Sequence, residues 1–174
     1  MTAASVTVAA IYYIINLRET LRNRRVTLAN NLMQTFVLEE GSKRWVDLMN
    51  MEWKDYDDFQ SRYGSKVNPE NFAKRNAMWN TCNILGNQYR AGLIDMDTIF
   101  ACSFTGVALM WAKFKPIIDV YRGSSFSREH YKDFEYLASE LAKMIMKADP
   151  TYKGNPFYFG PEVWEKAFPT ASTT

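Results

Sequence analysis

The hydrophobic pattern of this chain begins with an uncharged apolar stretch that turns abruptly basic. No charged residue occurs from Met1 to Leu17, where alanine, valine, isoleucine and tyrosine predominate. Residues 18–25 then contain four arginines and one acidic residue, and no further acidic residue occurs before Glu39. Because apolar residues continue at helical spacing beyond the arginines, one long helix is predicted to run from the apolar segment into the rest of the chain. These later positions are Leu21, Leu28, Leu32 and Phe36.

Polar side chains mark the starts of several further helices. Asp55 and the Asn68-Pro69 pair are predicted N-terminal caps, because their side-chain oxygens accept hydrogen bonds from the first free backbone N–H groups. Asp95 or Asp97 is expected to begin the next helix in the same way. Ser127 is predicted to cap an amphipathic helix that continues to about residue 148.

Glycine and proline mark the predicted ends. Gly41 is expected to break the first long helix, and Gly64 and Gly92 are expected to end later helices in the left-handed conformation. Residues 96–114 are interpreted as one central core helix rather than a second membrane span, because the uncharged part is too short for a span. Pro116 is expected to kink or restart this helix.

The last part of the chain, from Asp149, is punctuated by four prolines and is rich in aromatic residues. It predicts an irregular tail that packs on the domain or on a partner, with one turn of helix near 163–167. The predicted fold class is therefore all-α. Residues 1–17 are an apolar anchor helix, 18–148 a compact multi-helix domain that includes the rest of the long helix, and 149–174 the tail.

Composition narrows the possible functions. A hydrophobic fraction of 47% in 174 residues is ample for one core. A formal charge of +2 is too small to indicate a nucleic-acid partner by bulk electrostatics. Cys82 and Cys102 form no spacing motif and are predicted to be buried thiols, with a disulfide between them as the less favoured alternative. A single histidine, His130, cannot build the usual zinc sites, so no metal or cofactor is predicted.

The apolar start followed by arginines is typical of a membrane anchor. A helix of this length approaches the hydrocarbon thickness of a bilayer, and arginines on one side favour the cytoplasmic face. The alternatives are an interfacial or partner-buried helix and an ordinary core helix. The predicted lipid-contacting residues are Val6, Val8, Ile11, Tyr12, Tyr13, Ile14, Ile15 and Leu17. The residues predicted to set topology and to contact lipid headgroups are Arg18, Arg22, Arg24 and Arg25.

Several segments together resemble a family of small, uncharacterised prokaryotic proteins that share a domain of unknown function. The segments are YYIINLR (12–18), WKDYDDF (53–59), YG (63–64), GLID (92–95), WAKFKP (111–116) and YKDFEYLA (131–138). The resemblance covers roughly residues 8–145. It implies one N-terminal transmembrane helix, a cytoplasmic helical domain and no particular activity.

No catalytic constellation emerges from the residues. The acids Asp55, Asp57 and Asp58 lack the glycine and closing glutamate of a calcium loop, and helix capping explains them. Cys82 and the distant His130 are not a convincing dyad, because a cysteine on an apolar helix face is inert.

The sequence thus predicts a non-enzymatic, membrane-anchored accessory or scaffold subunit, or a homo-oligomer. Its expected partners are membrane lipid and protein, and not nucleic acid. The alternatives are a soluble helical regulator whose apolar N-terminus is buried in a partner and, least favoured, an enzyme of unrecognised type.

Overall fold

The computed structural model describes residues 3–103, 105–124 and 127–169; at 3–5, 25, 29, 32, 33, 35, 102 and 103 it describes the backbone alone. Within these ranges the chain forms eight α-helices, one π-helical segment and no strand. The helices are α1 (Ala3–Leu32), α2 (Glu39–Met49), α3 (Tyr56–Tyr63), α4 (Pro69–Arg90), α5 (Met96–Ser103), α6 (Gly106–Ser124), α7 (Lys132–Ala148) and α8 (Pro161–Ala167). The π-helical segment, Met33–Val37, follows α1 directly.

Helices α4, α6 and α7 form the centre of a compact bundle. Helix α7 packs against both α4 and α6, and α8 lies on α6. Every residue from 107 to 114 in α6 is buried, which is the pattern of a helix surrounded by others on all sides. Aromatic rings fill much of the space, as where Trp111 meets Phe134 edge-on with centroids 5.0 Å apart. The predicted all-α class and helical bundle are confirmed.

Three predicted helix starts are confirmed. The Asp55 carboxylate accepts a hydrogen bond from the Asp58 N–H at 2.9 Å, and the Asn68 amide oxygen accepts one from Asn71 at 3.0 Å. At α5 the cap is Asp95, whose carboxylate accepts from the Thr98 N–H at 2.9 Å. Local sequence is sufficient at these sites, because cap and helix are only three residues apart.

The predicted start of α7 at Ser127 is wrong. The Ser127 hydroxyl accepts a hydrogen bond from the Glu129 N–H within a turn, and α7 begins at Lys132. Tyr131, at the N-cap, has a left-handed backbone with φ of 58° and provides no side-chain cap. Asn83 of α4 caps α7 instead, since its amide oxygen accepts from the N–H groups of residues 133 and 134, both at 3.1 Å.

Two predicted glycine ends are also corrected. Gly41 lies buried inside α2, and the break that separates α1 from α2 comes after the π-helical segment, at Leu38. Gly64 ends α3 with an extended backbone, φ −62° and ψ 152°, rather than a left-handed one. A side chain is excluded there for another reason, because a Cβ would lie 2.4 Å from the carbonyl oxygen of Gln60.

Gly92 ends α4 as predicted. Its φ is +68°, and the Leu93 N–H returns to the carbonyl oxygen of Gln88 at 3.0 Å. This six-to-one hydrogen bond, with a left-handed glycine before the donor, is the Schellman arrangement.

The single helix predicted over 96–114 is wrong, because α5 ends at Ser103 and α6 begins at Gly106. Helix α6 does not restart at Pro116 but runs through this residue to Ser124, and a kink there stays a prediction. The proline is exposed, whereas Phe114 and Ile117 on either side of it are buried. Burial of these neighbours offsets the loss of one backbone hydrogen bond.

The segment after Asp149 lies against the bundle as far as the described residues extend, to 169. Trp164 and Phe168 are buried, and Tyr152 meets Trp164 edge-on with centroids 5.0 Å apart. Tyr158 makes a similar contact with Trp45 of α2. Residues 170–174 of the predicted tail lie outside the described part of the chain.

Candidate functional site

Among the described residues, a long run of exposed apolar side chains lies in the first half of α1. Every described side chain from Val6 to Arg24 is exposed. The exposed fractions of the eight predicted lipid-contacting residues range from 45% at Leu17 to 67% at Val8 and Tyr12. The predicted anchor residues therefore share one surface with no covering from the bundle, while Met1 and Thr2 lie outside the described residues.

This apolar surface surrounds the helix instead of forming a stripe. Ile11, Tyr12, Tyr13 and Ile14 follow one another, and each residue turns the helix by about 100°, so the four point in all directions. A helix that packs on one groove needs an apolar face on one side only. Full coverage of this segment thus requires an apolar environment around its whole circumference.

The second half of α1 connects this surface to the bundle. Leu28 and Phe36, in α1 and the π-helical segment, are partly buried against the core, and α1 contacts α5. The hydroxyl of Thr20 donates to the carbonyl oxygen of Asn16 at 2.8 Å, and that of Thr27 to Asn23 at 3.0 Å. These threonines satisfy their hydrogen-bonding groups within the helix itself.

The structure brings together only some of the predicted headgroup-binding arginines. Arg18 and Arg22 are exposed and lie four residues apart, on one face of α1. Arg24 points to another side, where it lines an open groove of about 580 Å³ with Leu21, Leu93 and other residues of α1 and the α4–α5 loop. The side chain of Arg25 lies outside the described residues.

The uncharged part of α1 is short compared with a bilayer. From Ala3 to Leu17 it extends about 22 Å, whereas the hydrocarbon core measures about 30 Å. Among the helices of the described residues, none combines the length and the apolar character needed to cross a membrane.

The cysteines and the histidine that were considered as reactive or metal-binding residues do not form a site in the described part of the chain. Cys82 is fully buried, and burial raises the pKa of its thiol far above the ordinary value, so it remains protonated and unreactive. The side chain of Cys102 lies outside the described residues. Burial, together with the positive charge of Arg122, lowers the pKa of His130. In the described part of the chain no three His, Cys, Asp or Glu side chains converge as metal ligands would.

The structure contains a buried charged residue that the sequence analysis does not single out. Arg75 of α4 is only 1% exposed, and its guanidinium lies over the Phe59 ring, 4.6 Å from the ring centroid. It lines a cavity between α3, α4, α6 and the start of α7. A signal existed, because Arg75 occupies a position in the apolar spacing formed by Phe72, Trp79 and Cys82 on the buried face of α4.

The helical bundle and the exposed first half of α1 define the structural class of this protein. It is an all-α bundle with an N-terminal helix whose apolar surface is exposed. Residues 1–141 match the family described as Domain of unknown function (DUF4760), and the chain belongs to that family. The match extends from α1 into α7, so the last turns of α7 and all of α8 lie beyond it. No curated protein and no solved structure matches the chain significantly.

Proposed function

We propose that this protein is a non-enzymatic, membrane-anchored helical module, an accessory or scaffold subunit of a membrane complex or a homo-oligomer. In this proposal α1 inserts into the bilayer as a single-pass anchor, with the N-terminus outside and the bundle in the cytoplasm. The observation that carries the proposal is the exposure of every side chain from residue 6 to residue 24, in a helix whose apolar side chains point in all directions.

Lipid is the occupant that best fits this surface. An apolar solvent covers all sides of a helix at once, whereas a single protein groove covers one face. Burial of eight bulky side chains that are 45–67% exposed, at roughly 1.5–3 kcal/mol for a fully exposed one, gives a driving force on the order of 10 kcal/mol for leaving water. A driving force of this size favours insertion of the helix into lipid.

In this proposal the arginines determine the orientation of the anchor in the membrane. Arg18 and Arg22 follow the last apolar residues directly, where a cation contributes about 1 kcal/mol through attraction to anionic lipid headgroups. For a prokaryotic protein, as the sequence resemblance implies, these charges favour retention of the bundle on the cytoplasmic side. The short uncharged length is compensated by snorkelling of Arg18 and by local thinning of the bilayer.

The test is fractionation of cells that produce the full-length protein. We expect it in the membrane fraction, resistant to alkaline carbonate and released by detergent. Replacement of Ile11 and Ile14 by glutamate is expected to move the protein to the soluble fraction, because charges at the centre of the anchor are costly to insert. A matched control replaces the exposed bundle residues Ile84 and Val120 by glutamate and is expected to leave the distribution unchanged.

Two outcomes oppose the proposal. Recovery of the unmodified protein in the soluble fraction without detergent contradicts membrane anchoring. Stoichiometric co-purification of the soluble protein with another protein, lost in the Ile11→Glu, Ile14→Glu variant, indicates that a protein partner covers α1.

A further inference from the structure

The bundle contains a cavity with aromatic walls, and no residue of α1 lines it. Its volume is about 360 Å³, which is within the range of small-molecule sites. Residues of α3, α4 and α6 and of the turn before α7 line it. The aromatic rings in its wall are those of Tyr56, Phe72, Trp79, Tyr121 and Tyr131.

Arg75 brings a positive charge into this wall without a counter-charge. Its Nη1 donates to the carbonyl oxygen of Tyr63 at 3.2 Å and to the amide oxygen of Asn71 at 2.9 Å. Its Nη2 is buried and makes no well-aligned hydrogen bond to a described residue, although the Tyr121 hydroxyl interacts with the guanidinium. None of the ion pairs between the described residues includes Arg75. A buried cation with an unsatisfied donor is costly unless an acceptor joins it.

A second donor in the same wall is also unsatisfied. The indole Nε1 of Trp79 is buried without a hydrogen-bond partner in the described part of the chain. The Arg75 guanidinium carbon lies 5.3 Å from the centroid of the Trp79 ring, so the two residues are neighbours. Because Arg75 and Trp79 both line the cavity, an occupant that supplies acceptors would satisfy both donors.

The charge of the cavity limits the charge of this occupant. Burial lowers the pKa of the Arg75 guanidinium, but arginine side chains keep their proton in proteins. His130 is the other basic residue in the wall, and its pKa is lowered, so it is neutral near pH 7. One positive charge among aromatic rings favours an anion with one negative charge and a flat apolar body.

We propose that this cavity binds a small aromatic monocarboxylate, whose carboxylate accepts hydrogen bonds from Arg75 Nη2 and Trp79 Nε1. The ring of the ligand lies between the aromatic side chains of the wall. The structural role of Arg75 at the end of α3 uses Nη1 alone, so that role does not account for the unsatisfied Nη2.

The test is fluorine NMR of para-fluorobenzoate with the full-length protein. We expect binding with a dissociation constant on the order of 1 mM for a ligand of this size. The uncharged analogue para-fluorobenzyl alcohol is expected to bind at least about tenfold more weakly, because it lacks the charged acceptor. Absence of benzoate binding, or equal binding of the alcohol, overturns the proposal.

Variants assign the signal to the cavity. Arg75→Met is expected to weaken benzoate binding by at least about tenfold. Ser65→Trp places an indole in the exposed rim and leaves Arg75 intact, so it is expected to block entry. Ser61→Trp, the same change at an exposed position outside the cavity, is the matched control and is expected to bind benzoate normally.

The other possible results of these binding experiments also support or overturn the proposed carboxylate site. Unchanged binding by the folded Arg75→Met or Ser65→Trp variant overturns the proposal, since the ligand then binds elsewhere, for example on α1. If Arg75→Met does not fold, the Ser65→Trp and Ser61→Trp pair decides alone. Tighter binding of inorganic phosphate than of benzoate overturns the assignment to an aromatic carboxylate.

Discussion

At the scale of single residues, Gly86 shows how closely the central helices approach. It lies buried in α4 where α4 crosses α7, and a Cβ at this position would be 1.9 Å from the carbonyl oxygen of Asp133. Backbone atoms cannot rotate away as the end of a side chain can. The contact between α4 and α7 therefore depends on the absence of a side chain at this position.

The substitution Gly86→Ala is predicted to destabilise the protein by about 3 kcal/mol, because the two helices must separate to admit a methyl group. The measurement is urea unfolding followed by circular dichroism. Gly123→Ala in α6 is the matched control, since nothing lies within 4 Å of its Cβ position. Helix propensity makes this control neutral or stabilising by up to about 1 kcal/mol. Equal unfolding midpoints for the two variants would show that the close approach is not tight.

Lys113 is a residue whose burial predicts a pH dependence. Its Nζ donates to the carbonyl oxygen of Met49 at 2.6 Å inside the bundle. Burial lowers its pKa to about 8, although the Glu52 carboxylate acts in the opposite direction. In the unfolded chain the pKa is about 10.4. Between these two values the unfolded state binds more protons than the folded state, so stability increases with pH.

We therefore predict that the free energy of unfolding rises by about 1–2 kcal/mol between pH 8 and pH 9.5. Above about pH 10 the trend reverses, because Tyr131, whose pKa is raised by burial to about 12, ionises first in the unfolded chain. Urea unfolding at several pH values measures the slope. In Lys113→Met the rise is expected to disappear, and a rise of the same size in this variant would assign it to another group.

At the scale of helices, the cap of α7 is supplied from another part of the chain. Asn83 of α4 accepts hydrogen bonds from two backbone N–H groups at the start of α7, some fifty residues later. The same side chain thus fixes the position of α7 along α4. This placement also determines where Tyr131, in the cavity wall, meets Asn76 of α4 through its hydroxyl at 3.1 Å.

Replacement of Asn83 by alanine is predicted to cost about 1–2 kcal/mol of stability. Amide hydrogen exchange at Asp133 and Phe134 is expected to become faster, because their N–H groups lose the acceptor. Asn80→Ala, at an exposed position of the same helix, serves as the control for the change in helix propensity. If exchange at the two amides is the same in both variants, Asn83 is not the cap.

These elements show which features the sequence was able to predict. The caps at Asp55, Asn68 and Asp95 were found because donor and acceptor are three residues apart. The start of α7 was placed wrongly because its cap comes from α4, and such a contact has no local signature. Ser127 was a plausible cap by composition, yet its hydrogen bond serves a turn.

The candidate sites differ in the same way. The exposed surface of α1 was predictable, because a continuous uncharged segment needs no tertiary information to be recognised. Arg75 occupies a position in an apolar helical stripe, and this was visible in the sequence. The cavity was not visible, because its wall combines residues from positions 56 to 131, and only the packing of four segments places them together.

At the scale of the whole molecule, the structure separates the bundle from the exposed half of α1. Residues 6–24 are exposed throughout, whereas Leu28 and Phe36 pack against the core. The bundle therefore draws its stability from the residues after Arg24. Its buried centre, in α4, α6 and α7, does not include the predicted anchor.

We predict that a chain beginning at Arg25 remains a folded, monodisperse monomer without detergent, with a melting temperature within a few degrees of the full-length protein. The reason is that the deleted residues contribute little buried area. A chain beginning at Glu39 is the control; loss of Leu28 and Phe36 is expected to destabilise it by about 2–4 kcal/mol. Size-exclusion chromatography measures the oligomeric state of both truncated chains, and thermal unfolding measures their stability.

Aggregation or non-cooperative unfolding of the chain that begins at Arg25 would contradict the separation of the bundle from the exposed half of α1, since that half would then be part of the fold. Equal stability of the two chains would instead show that α1 does not contribute to the core at all.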